Sequence, residues 1–190
     1  TEEQVAAMWT SLIPMGRMGQ VGDIAPVIGV MATPVLLLAT PALAAPDLPS
    51  ALDAARRVPG GLRWASSGRG TTGHLVLAHT REATGAPITH VPYKGGGQQI
   101  TDALGGQFDL LSSNLGAQQL VHVRQGRLRA FALSAPGRLA SLPEVPTFAE
   151  LGLPQANLVS TFGLFAPGAT DPALVQAINA ACQAVLDDTA

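Results

Sequence analysis

Between residues 62 and 133 the sequence alternates short β-type apolar runs with helical stretches, and glycine or proline stands at most of the junctions. The runs at 62–65, 88–91, 108–111 and 128–133 read as strands. A helix opens after Ser66–Gly73 and runs to about Thr84, where Gly85 suits a left-handed C-cap. Shorter helices fit 98–104, closed by Gly105-Gly106, and 115–125, stopped by Gly126. Upstream, 35–39 reads as a buried strand. Asp47 is a good N-cap with Pro49 just inside, and Leu52 and Ala55 face inward until Pro59-Gly60-Gly61 ends the helix. Strand and helix in strict turn, with short loops, imply an α/β domain with a largely parallel sheet.

The flanks are less regular. Residues 2–11 fit a short helix, and 13–22 a loop rich in glycine and methionine. Residues 134–155 form a proline-rich connection with a short helix expected at 148–151, and 163–165 suits a strand. Asp171-Pro172 starts a last helix, with Leu174, Ile178, Ala181 and Val185 as its buried stripe. Residues 27–45 are apolar and end in small residues, like the core of a secretory leader, and approach membrane-span length. Pro34 and Pro41 break any helix there, so one or two buried strands joined by turns are expected.

Composition narrows the function. The 190 residues are 47% hydrophobic and 13% charged, enough apolar matter for a core. A net charge of −2 offers no basic field for a nucleic acid. The single cysteine, Cys182, excludes an internal disulfide and reads as inert core. His74, His79, His90 and His122 lack metal-ligand spacing, so no metal is expected. No GxSxG elbow surrounds Ser67, and Asp23, Asp102, Asp109 and Glu150 are scattered as caps or surface charges. No catalytic set and no cofactor loop is visible: a P-loop would need Gly-Lys-Ser/Thr, and GRG is too short for a dinucleotide fingerprint.

What remains is a binding site. Ser66-Ser67-Gly68-Arg69-Gly70-Thr71-Thr72-Gly73-His74 lies between a strand and a helix, at the carboxyl edge of a parallel sheet where ligands bind. Amides at the helix start and the Thr71 and Thr72 hydroxyls suit an anion; an ordinary glycine turn with a threonine N-cap accounts for the segment equally well. At the same edge, Val91-Pro92-Tyr93-Lys94-Gly95-Gly96-Gly97 brings the only tyrosine and the only lysine. Ser112-Ser113-Asn114 follows the next strand. Three strand ends with uncharged or cationic polar groups point to a binding protein rather than an enzyme.

These residues resemble the Bug (TctC-type) family, extracytoplasmic solute receptors of tripartite tricarboxylate transporters. Asp23-Ile24-Ala25-Pro26-Val27 resembles its DFAPV segment, and Pro59–Gly68 its PGKLxYASSG. Gly70–Leu75 resembles GxSSGHL, and Val91-Pro92-Tyr93-Lys94-Gly95 is its VPYKG. Gly106–Leu110, Gly126–Ala130, Leu142–Gly152 and Gly163–Pro167 resemble GGQVDL, GKLRAL, LPDVPTxxExG and GLFAPAGTP in the same order. The resemblance implies a type II periplasmic binding-protein fold, α/β, with one complete lobe of mostly parallel sheet plus part of a second. By resemblance, 33–156 is the second lobe, and 1–32 and 157–190 belong to the first, with 1–22 foreign in origin as one option. It implies capture of a small carboxylate by lobe closure, in the periplasm, for membrane transporter subunits. The ligand contacts carried over are Ser67, Gly68, Gly70, Thr71, Thr72, Tyr93 and Ser113. Ser113 departs from the family, where an acidic residue is common.

The opening strand and PGAGG-like loop of the family's first lobe, and the final part of its C-terminal lobe, have no counterpart here, so a truncated chain is expected. Two alternatives follow. One is a remnant without a transport role that associates through an exposed lobe edge. The other rests on Ile13–Gly19 with Asp23-Ile24-Ala25, similar to the PxGRxGxxxDIA segment of short-chain dehydrogenases/reductases. The GxxxGxG loop and YxxxK pair of that family do not occur, since Lys94 follows Tyr93 directly.

Overall fold

The computed structural model of the chain describes the backbone of residues 24–187 and the side chains of residues 32–184. The helix expected at 2–11, the loop at 13–22 and most of the dehydrogenase-like segment lie outside the described residues. In chain order the elements are β1 (Ile24–Ala39), α1 (Leu48–Ala55), β2 (Leu62–Ser66), α2 (Thr72–Thr84), β3 (Ile88–Pro92), α3 (Gly97–Leu104), β4 (Leu110–Asn114), α4 (Ala117–Arg124), β5 (Arg129–Ser134), β6 (Val159–Pro167) and α5 (Pro172–Asp187). The described residues fall into two units: Ala32–Ser160, and the described parts of the chain on either side of it.

The sheet runs β3-β2-β4-β1-β5, and β6 also pairs with β1. β2 is parallel to β3 and to β4, whereas β1 is antiparallel to β4 and β5. The sheet is therefore mixed rather than largely parallel. β1 is also one strand through Pro34, not two joined by a turn. The proline is tolerated because the register with β4 and β5 starts at Val35. The Pro34 carbonyl takes the Leu115 amide at 2.8 Å.

β1 explains its own composition. Val35, Leu37 and Ala39 enter one core with Leu48, Leu52, Trp64, Val76, Leu77 and Phe148. Leu36 and Leu38 enter the other with Ala65, Ile100, Phe108, Leu111 and Leu133. Both faces are covered, so alternation vanishes and an unbroken apolar run is required.

The local stop signals act as the sequence suggests. Asp47 accepts the Ser50 amide at 2.8 Å, and the Ser50 hydroxyl, followed by that amide, holds its carboxyl below the usual range. Gly85 closes α2 at φ 61°. The helix expected at 148–151 is instead a turn built as a capping box: Thr147 N–H donates to Glu150 Oε2 at 2.7 Å, and Glu150 N–H to Thr147 Oγ1 at 3.1 Å. In α5 the expected stripe is not buried as a whole: Leu174 is 54% exposed and Val175 is the buried residue. Val185 lies outside the described side chains. Cys182 is half-buried rather than core.

Trp64 ties the sheet centre to the site. Its fully buried indole donates to Ser112 Oγ at 2.6 Å. Ser112→Ala leaves that N–H without an acceptor and is expected to cost about 1–2 kcal/mol in urea unfolding. An unchanged denaturation midpoint would show that the bond carries no net stability.

Candidate functional site

The exits of β3, β2 and β4 stand side by side, because those strands are parallel neighbours. Ser66 pairs in register with Pro92 on one side and Ser112 on the other. The loops beyond are stitched together: Tyr93 N–H donates to Ser66 O at 2.9 Å, and Gly95 N–H to Ser67 O at 3.0 Å. The three segments singled out from sequence therefore meet at one sheet edge. Ser112 to Asn114 do not follow a strand, however; they are the end of β4 itself.

The start of α2 is pressed onto this edge. A Cβ on Gly73 would lie 2.9 Å from Ser112 Cβ and 3.1 Å from Ser112 O. Only a residue without a side chain lets the helix mouth sit over the exits of β2 and β4. Ser67, Gly68, Gly70, Thr71 and Thr72 are all half-buried, reachable from solvent at that mouth.

Hydrogen bonds divide the expected contacts into two groups. Thr71 is the N-cap of α2: its hydroxyl accepts the His74 amide at 3.4 Å and donates to Gly68 O at 2.8 Å. The Gly70 amide, expected to be free for an anion, donates to His74 Nδ1 at 3.0 Å. The phenol of Tyr93 donates to Asp102 Oδ2 at 2.6 Å, and its ring packs edge-on against Phe108 with centroids 5.7 Å apart. Burial and then the Asp102 bond push this phenol up to about 12, so it stays protonated. The Tyr93 hydroxyl, followed by the Gln98 amide, holds Asp102 below the usual carboxylate range. Ser113 is 5% exposed and accepts Gln119 Nε2 at 3.0 Å. These groups shape the site from within.

The second group is open. Among the described residues, the Ser67 and Thr72 hydroxyls have no hydrogen-bond partner in the structure. Thr72 and Gly73 occupy the first turn of α2, where an N–H has no intrahelical acceptor. Arg69 and Lys94 are exposed on the same two loops. Donors and cations converge there, which suits a carboxylate. Among the described residues no cluster of histidine, cysteine and acidic side chains is placed to hold a metal.

Sequence reasoning placed Ser66 and His74 in the candidate segment without giving either a role, and weighed His74 and His90 only for a metal, which it set aside. Ser66 Oγ accepts the Gly68 amide at 3.3 Å, donates to Gly68 O at 3.1 Å, and lies 2.8 Å from His90 Nε2. The available signal was spacing: His74 stands four residues after Gly70, one turn into the helix that Thr71 caps.

Solved structures with this architecture are periplasmic binding proteins. MatC from Rhodopseudomonas palustris with bound malate superposes with a TM-score of 0.78 at 28% identity, over 96% of this chain and 61% of that one. The R. palustris protein Rpa4515 with adipate gives 0.76 at 33% identity, over 83% and 52%. The fold is thus that of the α/β periplasmic binding proteins. The family profile "Tripartite tricarboxylate transporter family receptor" matches residues 13–190, and the chain belongs to that family. Protein BugT of Bordetella pertussis is 34% identical over 173 residues, 91% of this chain and 53% of that relative. The chain spans about half the length of the curated relatives it matches most extensively. No helix among the described residues is long and apolar enough to cross a membrane.

Proposed function

We propose that this chain contributes the carboxylate-gripping lobe of a periplasmic receptor that delivers a small organic acid to the membrane subunits of a tripartite transporter. It binds without reacting. Residues 33–156 form the second lobe of that receptor, and 1–32 and 157–190 belong to the first. The observation that carries the reading is the convergence of the open Ser67 and Thr72 hydroxyls with the first-turn amides of α2 at the exits of β2 and β4. The malate and adipate named with two related structures agree with a carboxylate in such a place.

The groups divide the task. The first-turn amides and helix dipole supply the attraction for negative charge. Ser67 and Thr72 orient the carboxylate oxygens by short charge-assisted bonds. Gly68, Gly70 and Thr71 set the loop's shape, Tyr93 braces the neighbouring loop through Asp102, and Ser113 fixes the end of β4 on α4. No cofactor and no proton transfer is needed.

Thermal shift against malate, adipate, citrate and the uncharged diamide of malate tests the reading. At a ligand concentration one hundred times its Kd, a binding acid is expected to raise Tm by roughly 5–10 °C. The diamide is expected to do nothing, and the double variant Ser67→Ala, Thr72→Val to abolish the response while folding normally. A folded chain that no acid stabilises overturns the receptor role for this chain. It would favour an association module instead, for which exposed Phe162, Leu164 and Phe165 on β6 offer an apolar surface.

A further inference from the structure

Two imidazoles stand behind the cradle. His74 is in the first turn of α2 and His90 is in β3. Their rings stack with centroids 4.3 Å apart and planes 19° apart. The Gly70 bond fixes the state of His74: Nδ1 accepts, so the ring proton sits on Nε2 and the ring is neutral. Gly70 holds φ 76°, a left-handed conformation natural to glycine. His90 Nε2 touches Ser66 Oγ, and that hydroxyl also takes the Gly68 amide. Gly68 and Gly70, which shape the loop, are thus both tied to the imidazole pair, Gly70 directly and Gly68 through Ser66.

We propose that His74, stacked on His90, is the positioning residue of the cradle and makes its shape sensitive to acid. Neutral His74 holds the Gly70 amide; a proton on Nδ1 converts that acceptor into a donor and releases the loop. The inference rests on the reading of this loop as the carboxylate cradle. From β2 the pair meets the uncharged hydroxyl of Ser66. The charges acting on the pair are Arg69 in the loop and Arg81 on α2, and both oppose a further positive charge. Burial first, then these arginines, lowers His74, and burial with His74 and the arginines lowers His90 to about 4. The folded chain therefore binds these protons less readily than the unfolded chain. Stability is complete above pH 6.5, the ordinary histidine value, and falls as pH drops from there toward about 4.

The direct test is the scalar coupling between Gly70 nitrogen and His74 Nδ1 across their hydrogen bond, in ¹⁵N-labelled protein. The coupling is expected at pH 7.5 and to weaken as the pH falls below the ordinary histidine range, with Tm declining in the same direction. His74→Asn, whose Oδ1 offers an acceptor near the place of Nδ1, is expected to keep the malate response and to make the pH profile shallower, with the share of His90 remaining. His74→Phe, with a ring but no acceptor, is expected to weaken malate binding roughly tenfold. A folded chain without the coupling at pH 7.5, or a His74→Asn profile as steep as the original, overturns the proposal. Both readouts need no ligand, so a chain that binds no acid would end the receptor reading while the positioning claim is still decided.

Discussion

Gly61→Ala is expected to lose about 3 kcal/mol or more of unfolding free energy, the largest loss expected from one added methyl group at a described glycine. Gly61 has φ 65°, where an L side chain is strained by about 1–2 kcal/mol. The added carbon would also lie 2.0 Å from the Pro87 carbonyl oxygen and 2.7 Å from its carbon. Neither atom can rotate away, because the same carbonyl accepts the Leu62 amide at 2.9 Å where β2 and β3 begin to pair. Urea unfolding monitored by Trp64 fluorescence measures the loss. Gly60→Ala is the control, since Gly60 has φ 87° but nothing within 4 Å of an added Cβ. It isolates the strain from the collision, and equal losses in the two variants would show that the collision contributes nothing.

The second large effect concerns the helix mouth. Gly73→Val is expected to cost about 2–3 kcal/mol and to remove stabilisation by malate or adipate altogether. Valine would force its branched carbon onto Ser112, so α2 must lift off the exits of β2 and β4. Its first-turn amides then no longer stand at those exits. Thermal shift with and without 10 mM of each acid, a concentration chosen as roughly one hundred times a Kd near 0.1 mM, separates the two losses. A variant that is destabilised yet still responds to the acids would detach the helix mouth from binding. Gly73→Ala is the gentler test, with part of both effects.

What the sequence disclosed follows the range of the interactions. Asp47, Gly85 and the Thr71 cap act within a few residues, and each stands where its chemistry predicts. The strand expected at 108–111 is displaced to Leu110–Asn114 because Phe108 is apolar without being in a strand. Its ring is buried below Tyr93, and its carbonyl takes the Thr40 hydroxyl at 2.5 Å, an arrangement that periodicity does not register. The direction of β1 was equally hidden, since its partners lie far along the chain. The site divides in the same way. That three strand ends carry polar groups is written in the sequence, and short alternating elements bring them together. That Gly70 serves His74, and Tyr93 serves Asp102, depends on which way side chains turn after the backbone has folded. Arg63 with Asp109 shows the point again: an exposed arginine and a half-buried aspartate form a bidentate pair, Nη2 to Oδ1 at 2.9 Å and Nε to Oδ2 at 3.3 Å, where β2 meets the residue before β4.

The reversed interior strand has a consequence for biogenesis. β1 leaves the ribosome before either of its flanking strands, yet it is apolar on both faces and has no place until they arrive. β2, α2 and β3 close a local unit early, while the gap between β4 and β5 waits for a segment made long before. During that interval an oily, extended ribbon is open to chaperones and to other nascent chains. A polar substitution at Leu36 or Leu38 would therefore change the yield of soluble protein by two opposing routes, easing the wait and weakening the finished sheet.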